Sequence, residues 1–244
     1  MNARVTLTRE SPGLAIIRLP AAAPTAGLAA ELAGICQEIN FDTAIRAAVI
    51  TGSGPAFCRD AASHRKTPVV FSLAGPVASL NCPVIAAING NAIGMGLELT
   101  LSCDIRIASR SARFSIPGIW NGLMPSDGAS QRLPRLVGRA NAMELMLTGE
   151  EITAAEALRI GLVSRVAPAK DVLETALEMG REMAGKAALA LKYCKEAVYK
   201  GLDMTLAQGL QLEGDLYFLL HTTADRTEGI NAFKEKRKPK FKGK

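Results

Sequence analysis

Apolar residues recur along this chain with two periods, and segments of the two kinds alternate. Residues 5–8, which alternate apolar and polar, and 14–19, mostly apolar, flank Ser11-Pro12-Gly13, a turn by composition, which predicts a strand pair. Thr25 then stands where a helix cap belongs, followed by Leu28, Leu32, Ile35 and Cys36 at helical spacing. Short apolar runs at 47–51, 84–88 and 104–108 predict strands, and 163–166 a shorter one. Between and after them, 140–147 and 153–160 read as helices, the second opened by a threonine cap and ended at Gly161. From Asp171 onward the pattern is almost wholly helical and turn signals thin out. Strands alternating with helices imply crossover connections and parallel pairing, so the expected class is α/β, with residues 1–187 as the body and 188–244 as a helical C-terminal region. No internal sequence repeat and no low-complexity linker interrupts it.

With 244 residues and 48% hydrophobic content the chain can bury a sizeable core. The longest apolar runs are broken by charge or glycine well short of a bilayer crossing, and the chain opens directly on strand-like alternation, so neither a membrane span nor a secretory leader is expected. The five cysteines (Cys36, Cys58, Cys82, Cys103, Cys194) are odd in number and widely spaced. That pattern points to free thiols in a reducing compartment, the cytoplasm, rather than to a disulfide framework or a metal site. Most of the +6 net charge sits in the tail after Phe233. A basic tail is a solvated end, a weak nucleic-acid patch, or an attractor for a polyanionic ligand. Aromatic residues there are limited to Phe233 and Phe241 and no nucleic-acid-binding motif is present, so nucleic acid is not an expected partner.

The most informative segment runs from Cys82 to Leu99. Pro83 and Gly90 bound an apolar strand; Gly94 and Gly96 then allow a tight turn with exposed amides, which opens a helix. Free N–H groups at that point, with the positive end of the helix dipole, can hold an oxyanion without any special side chain. Glu98, three residues past Met95, is the one ionisable residue of the segment and stands beside whatever those amides hold. A carboxylate next to a polarised carbonyl is what proton transfer requires. The plainer reading, a turn glycine pair and an acidic residue complementing the dipole, uses the same residues.

The segment Cys82-Pro83-Val84 through Cys103-Asp104-Ile105-Arg106-Ile107-Ala108 resembles the second signature of the crotonase superfamily, the enoyl-CoA hydratases and isomerases. Upstream, Ala47-Ala48-Val49-Ile50-Thr51-Gly52-Ser53-Gly54-Pro55-Ala56-Phe57-Cys58 looks like the family's strand and loop leading to its first oxyanion amide. Gln131-Arg132-Leu133-Pro134-Arg135-Leu136-Val137-Gly138 and Glu228-Gly229-Ile230-Asn231-Ala232-Phe233-Lys234-Glu235-Lys236-Arg237 look like its later signatures. The resemblance implies a crotonase-like spiral of ββα units with a helical C-terminal region that builds a homotrimer or homohexamer. It implies an acyl-CoA thioester substrate, with coenzyme A as part of the substrate and no separate cofactor or metal. The oxyanion donors would be the backbone N–H groups of Ala61 and Met95, and Glu98 the acid/base. Phe57, Arg59, Ala61, Gly94, Gly118, Trp120 and Lys236 would contact the substrate, the basic tail lying near the coenzyme A phosphates.

Three departures from the family pattern qualify that expectation. The usual small pair before the first oxyanion donor is Arg59-Asp60, readable as a solvated ion pair or, through Arg59, as a phosphate contact. The stretch from Ala61 to Val84 is short; His64 falls in it as surface decoration. The second catalytic carboxylate, which a two-glutamate hydratase carries after the proline of Phe114-Ser115-Ile116-Pro117, is Gly118 here. Asp127 is the candidate replacement, one register off from related enzymes, and equally a turn residue before Gly128. Trp120 is expected at a pocket wall or subunit contact, and His221 in an apolar stripe of the C-terminal region. The leading expectation is an enoyl-CoA hydratase. Isomerase, dienoyl-CoA hydratase, decarboxylase or hydrolase chemistry, and a decayed coenzyme A-binding protein, stay open on the strength of Gly118 and Arg59-Asp60.

Overall fold

The computed structural model describes residues 4–60 and 71–244. β1 (Thr6–Ser11) and β2 (Leu14–Leu19) form the antiparallel pair around Pro12-Gly13. α1 (Ala26–Phe41) starts where Thr25 Oγ1 accepts the Leu28 N–H at 3.1 Å, the expected cap.

The body is then built from a three-part unit used three times. β3 (Ala47–Gly52) leads to β4 (Cys58–Arg59) and α2 (Ala74–Ala78). β5 (Val84–Ile88) leads to β6 (Ala92–Ile93) and α3 (Met95–Leu101), and β7 (Ile105–Ser109) to β8 (Arg113–Ser115) and α4 (Ala129–Thr148). The first strands of the units pair in parallel in a six-stranded sheet of order β1-β2-β3-β5-β7-β10, closed by β10 (Arg165–Ala167). The second strands pair in parallel in a separate sheet of order β4-β6-β8-β9, where β9 (Ile152–Thr153) joins antiparallel. A chain that visits one sheet, the other, and then a helix, and advances by one strand each time, winds as a spiral of ββα units. The repetition is geometric and leaves no sequence repeat.

The large sheet is buried on both faces, which is why its strands read as continuous apolar runs. Alternate residues Leu14, Ile16, Val49, Ile85, Ala87 and Ile107 pack with Val172, Ala176 and Leu177 of α6 (Val172–Ala184). Ala15, Ile17, Ile50, Ala86 and Ile88 face the main core with α1 and α3. α5 (Ala154–Arg159) is capped by Thr153, whose hydroxyl accepts the Glu156 N–H, as its sequence predicts. The helix expected over 140–147 is the second half of α4, which also takes in Pro134 and changes direction at Gly138 (φ +76°). The strand expected at 163–166 lies slightly later, at Arg165–Ala167.

The C-terminal region is helical: α7 (Ala188–Gly201), α8 (Leu206–His221) and α9 (Ala224–Lys234). The chain passes from α6 to α7 within 184–190, where the pattern changes. α7 is tied to the body by Lys195, whose Nζ donates to Asp104 Oδ2 at 2.9 Å and to the Cys82 carbonyl at 3.1 Å. After α9 the tail folds back: the Lys242 and Gly243 N–H groups donate to Asp225, Lys240 N–H to Glu228, and Arg46 grips the Phe241 carbonyl at 2.7 Å. No helix of the described residues is long and apolar enough to cross a membrane.

One close approach sets the position of α3. A Cβ at Gly96 would lie 1.9 Å from the Cys58 carbonyl oxygen, so the helix rests directly on the backbone of β4. Gly96→Ala is therefore expected to lower the melting temperature by several degrees or to abolish soluble expression. Gly34→Ala, in an exposed part of α1 with nothing within 4 Å of the added carbon, is expected to stabilise by up to ~1 kcal/mol through helix propensity. Thermal denaturation of both variants checks this pair of opposite signs.

Candidate active site

β6 delivers the chain to Gly94, whose φ of +60° and ψ of −124° turn it sharply into α3. The Gly94 N–H is used by the Ser115 carbonyl at 2.8 Å and its carbonyl accepts the Glu98 N–H at 3.1 Å. Met95 is the first residue of α3, so its amide belongs to the set of helix-opening N–H groups with no acceptor inside the helix. Its side chain is buried in the main core. One turn on, the Glu98 side chain is 3% exposed.

Three backbone donors hold that carboxylate. Oε2 accepts the Asp127 N–H at 2.6 Å and the Ala129 N–H at 3.1 Å, and Oε1 the Ser126 N–H at 3.4 Å. All three lie at the entry to α4, where the helix dipole also favours negative charge. Burial nonetheless dominates and pushes the Glu98 carboxyl above its ordinary 4.5; the Ala129 and Asp127 amides pull it back down, and the Asp127 charge pushes it up. A carboxyl with a raised pKa, held in a fixed orientation by amides, takes up a proton more readily than an exposed glutamate does.

Asp127 itself, 7% exposed, turns its carboxylate away to another task. Oδ2 accepts the Leu73 and Ala74 N–H groups, each at 2.8 Å, and Oδ1 the Ser72 hydroxyl, so the side chain caps the start of α2. The turn reading thus describes what its carboxylate does, and these acceptor bonds leave it committed to α2.

A profile described as Enoyl-CoA hydratase/isomerase matches residues 14–244. The chain belongs to the enoyl-CoA hydratase/isomerase family. It is an enzyme of that type, with the crotonase fold. 2,3-Dehydroadipyl-CoA hydratase of Escherichia coli strain K12 is 41% identical over 212 residues, 83% of each chain. The mitochondrial enoyl-CoA hydratase of Pongo abelii is 37% identical over 225 residues, 88% of this chain and 78% of that one. The crystal structure of an enoyl-CoA hydratase from Bacillus anthracis superimposes with a TM-score of 0.93 at 36% identity, covering 98% of this chain and 99% of that one.

Against that family pattern, the structure gathers Gly94, Met95, Glu98 and Asp127 in one place. Ala61 and His64 lie outside the described residues. Arg59 is exposed while Asp60, the residue just past β4, is 9% exposed, so Asp60 turns inward and is no solvated partner of Arg59 as one reading expected. Asp60 packs against the oxyanion turn, since a Cβ on Gly94 would lie 3.0 Å from Asp60 Cβ. Phe57 is fully buried in the main core, where it supports the site from behind. Cys58, beneath Gly96, is an inert thiol, pushed up to about 12 by burial.

The other expected positions have surroundings of their own. Gly118 begins a tight 3₁₀ turn (Pro117–Asn121); a Cβ there would meet the Leu123 carbonyl at 3.2 Å, so the position is shaped around a missing side chain. Trp120 is 64% exposed and pinned to the end of α4 by its indole N–H on the Thr148 carbonyl at 2.6 Å. Lys236 follows α9 with φ +53°, exposed on the folded-back tail. His221 stacks edge-on with Tyr217 on α8. The amides of Ser126 and Ala129 were invisible to sequence reasoning, because a backbone donor has no residue-type signature; the acid just before Gly128 was the sole hint of a turn there.

The raised pKa makes Glu98 a pH-dependent burden on stability. Its neutral form is favoured in the folded state, so its contribution is complete below the unfolded value near 4.5 and is lost as pH rises through the folded value. Glu98→Gln cannot ionise. The melting temperature of this variant relative to the parent is therefore expected to climb between pH 4 and pH 8, as followed by circular dichroism; a constant difference would contradict burial as the dominant influence on this carboxyl.

Proposed function

We propose that the protein hydrates a 2-enoyl-CoA thioester with a single catalytic carboxylate, Glu98. The observation that carries this reading is the isolation of that group: a buried carboxyl on the oxyanion turn, with glycine at the second-carboxylate position and Asp127 committed to α2. The Met95 N–H, together with that of Ala61, would hold the thioester oxygen as it gains enolate charge, a pair of bonds worth on the order of several kcal/mol in the transition state. Glu98 would take a proton from water as its oxygen bonds C3, the C2=C3 electrons moving onto the thioester oxygen. The same carboxyl would then return the proton to C2 as the enolate collapses, which balances addition of one water. Shifting a double bond by proton removal and return uses the same carboxyl and no water, so isomerisation is the second reading that the lone carboxylate supports. We assign the coenzyme A phosphates to the basic tail, including Lys236, and place the enzyme in the cytoplasm on its free thiols.

We further propose a homotrimer or a homohexamer made of two. Leu206, Leu210, Tyr217, Phe218 and Leu219 of α8 are all exposed in the single chain, an apolar face that a second copy would cover. Light scattering at micromolar protein is expected to give three or six times the 25.8 kDa chain mass; a monomer mass would refute the assembly.

Glu98→Gln is expected to lower hydration turnover ~10²–10⁴-fold while acyl-CoA affinity, measured calorimetrically, changes little. If the unmutated protein turns over neither enoyl- nor dienoyl-CoA thioesters, binding without chemistry becomes the better account.

A further inference from the structure

We propose that Asp127 is a positioning residue that couples the start of α2 to the charge state of Glu98. Both halves of the coupling pass through one residue. The backbone N–H of Asp127 donates to Glu98 Oε2 at 2.6 Å, while its carboxylate accepts Leu73 N–H, Ala74 N–H and the Ser72 hydroxyl. Any shift of residues 72–74 relative to α4 therefore changes how well the Asp127 charge is compensated. That charge sits beside a second carboxyl in a buried site, where like charges disfavour each other's ionisation.

The charged groups around Glu98 make the sign definite. From α4 come Asp127 and Arg132, whose Nη1 donates to the Asp127 carbonyl at 2.9 Å; from the end of β4 comes Asp60, beside Gly94 one turn before Glu98. α2, the rest of α3 and the 3₁₀ turn at Pro117–Asn121 contribute no ionisable side chain. Removing the Asp127 charge lets Glu98 ionise at lower pH. Removing a donor that compensates Asp127 has the opposite effect.

The inference rests on Glu98 being the acid/base group, and the test separates the two. Hydration of a 2-enoyl-CoA thioester is followed as kcat/KM against pH for the parent, Glu98→Gln, Asp127→Asn and Ser72→Ala, with melting temperatures recorded alongside. Glu98 works as a base when ionised, so kcat/KM falls below its pKa. Asp127→Asn is expected to move that acid limb down by ~0.5–1 pH unit, with plateau kcat reduced less than ~10-fold, and Ser72→Ala to move the limb up. An Asp127→Asn limb that coincides with the parent's, or two variants that shift the same way, would overturn the coupling and leave Asp127 a helix cap alone. A loss in Asp127→Asn equal to that of Glu98→Gln at every pH would overturn it differently, making Asp127 a proton carrier. Should Asp127→Asn fail to fold, the direction of the Ser72→Ala limb decides. Undiminished turnover in Glu98→Gln would instead remove the assignment of Glu98, whatever the other variants do.

Discussion

The carboxylate of Glu98 accepts N–H groups from the turn that enters α4, and this one set of bonds joins α3 to α4. A carboxyl buried to 3% exposure is costly unless its oxygens find donors, and among the described residues no side-chain cation donates to it. The donors are instead the amides of Ser126 and Asp127, just before α4, and of Ala129, its first residue. The cost of burying the charge and the cost of ending a helix thus offset each other. Asp127 repeats the arrangement one step further, its carboxylate capping α2 while its own amide serves Glu98. α2, α3 and α4, one from each turn of the spiral, are linked through two carboxylates and five backbone amides.

Such a link works because the spiral brings equivalent points of successive units into register. β4, β6 and β8 pair side by side, so each following helix starts near the starts of its neighbours. The close approach of Gly96 to the Cys58 carbonyl sets α3 onto the strand below it without a side chain between them. Gly94, at positive φ, then aims the first amide of α3 out of the same turn that Asp60 packs against. Small residues hold the backbone in place here.

The absence of a carboxylate at position 118 fits the same economy. Its turn is closed by the Leu123 N–H on the Gly118 carbonyl at 3.0 Å, with Leu123 filling the direction a side chain would take. Among the described residues, the acid whose charge raises the Glu98 pKa is Asp127, by a smaller amount than burial does. Desolvation and the count of amide donors set the working range of this site more than any ion pair does.

The order of strands and helices, the caps at Thr25 and Thr153, the glycine turn and the identity of Glu98 were legible in the chain, because each depends on neighbours within a few residues. The small sheet was not: its strands are two or three residues long, too short for a period to register, and exist only because they pair across the spiral. In α4 the helix runs through Pro134 but breaks at Gly138, so the stretch expected over 140–147 was legible and the stretch before the break was not. Which of Arg59 and Asp60 turned inward needed β6 beside them. Residue order was enough for the fold class, the family and Glu98 as the acid beside the glycine turn. Tertiary structure alone decided that Asp127 caps a helix more than fifty residues away and that the donors to Glu98 are amides, since a hydrogen bond between distant backbone groups leaves no trace in residue type.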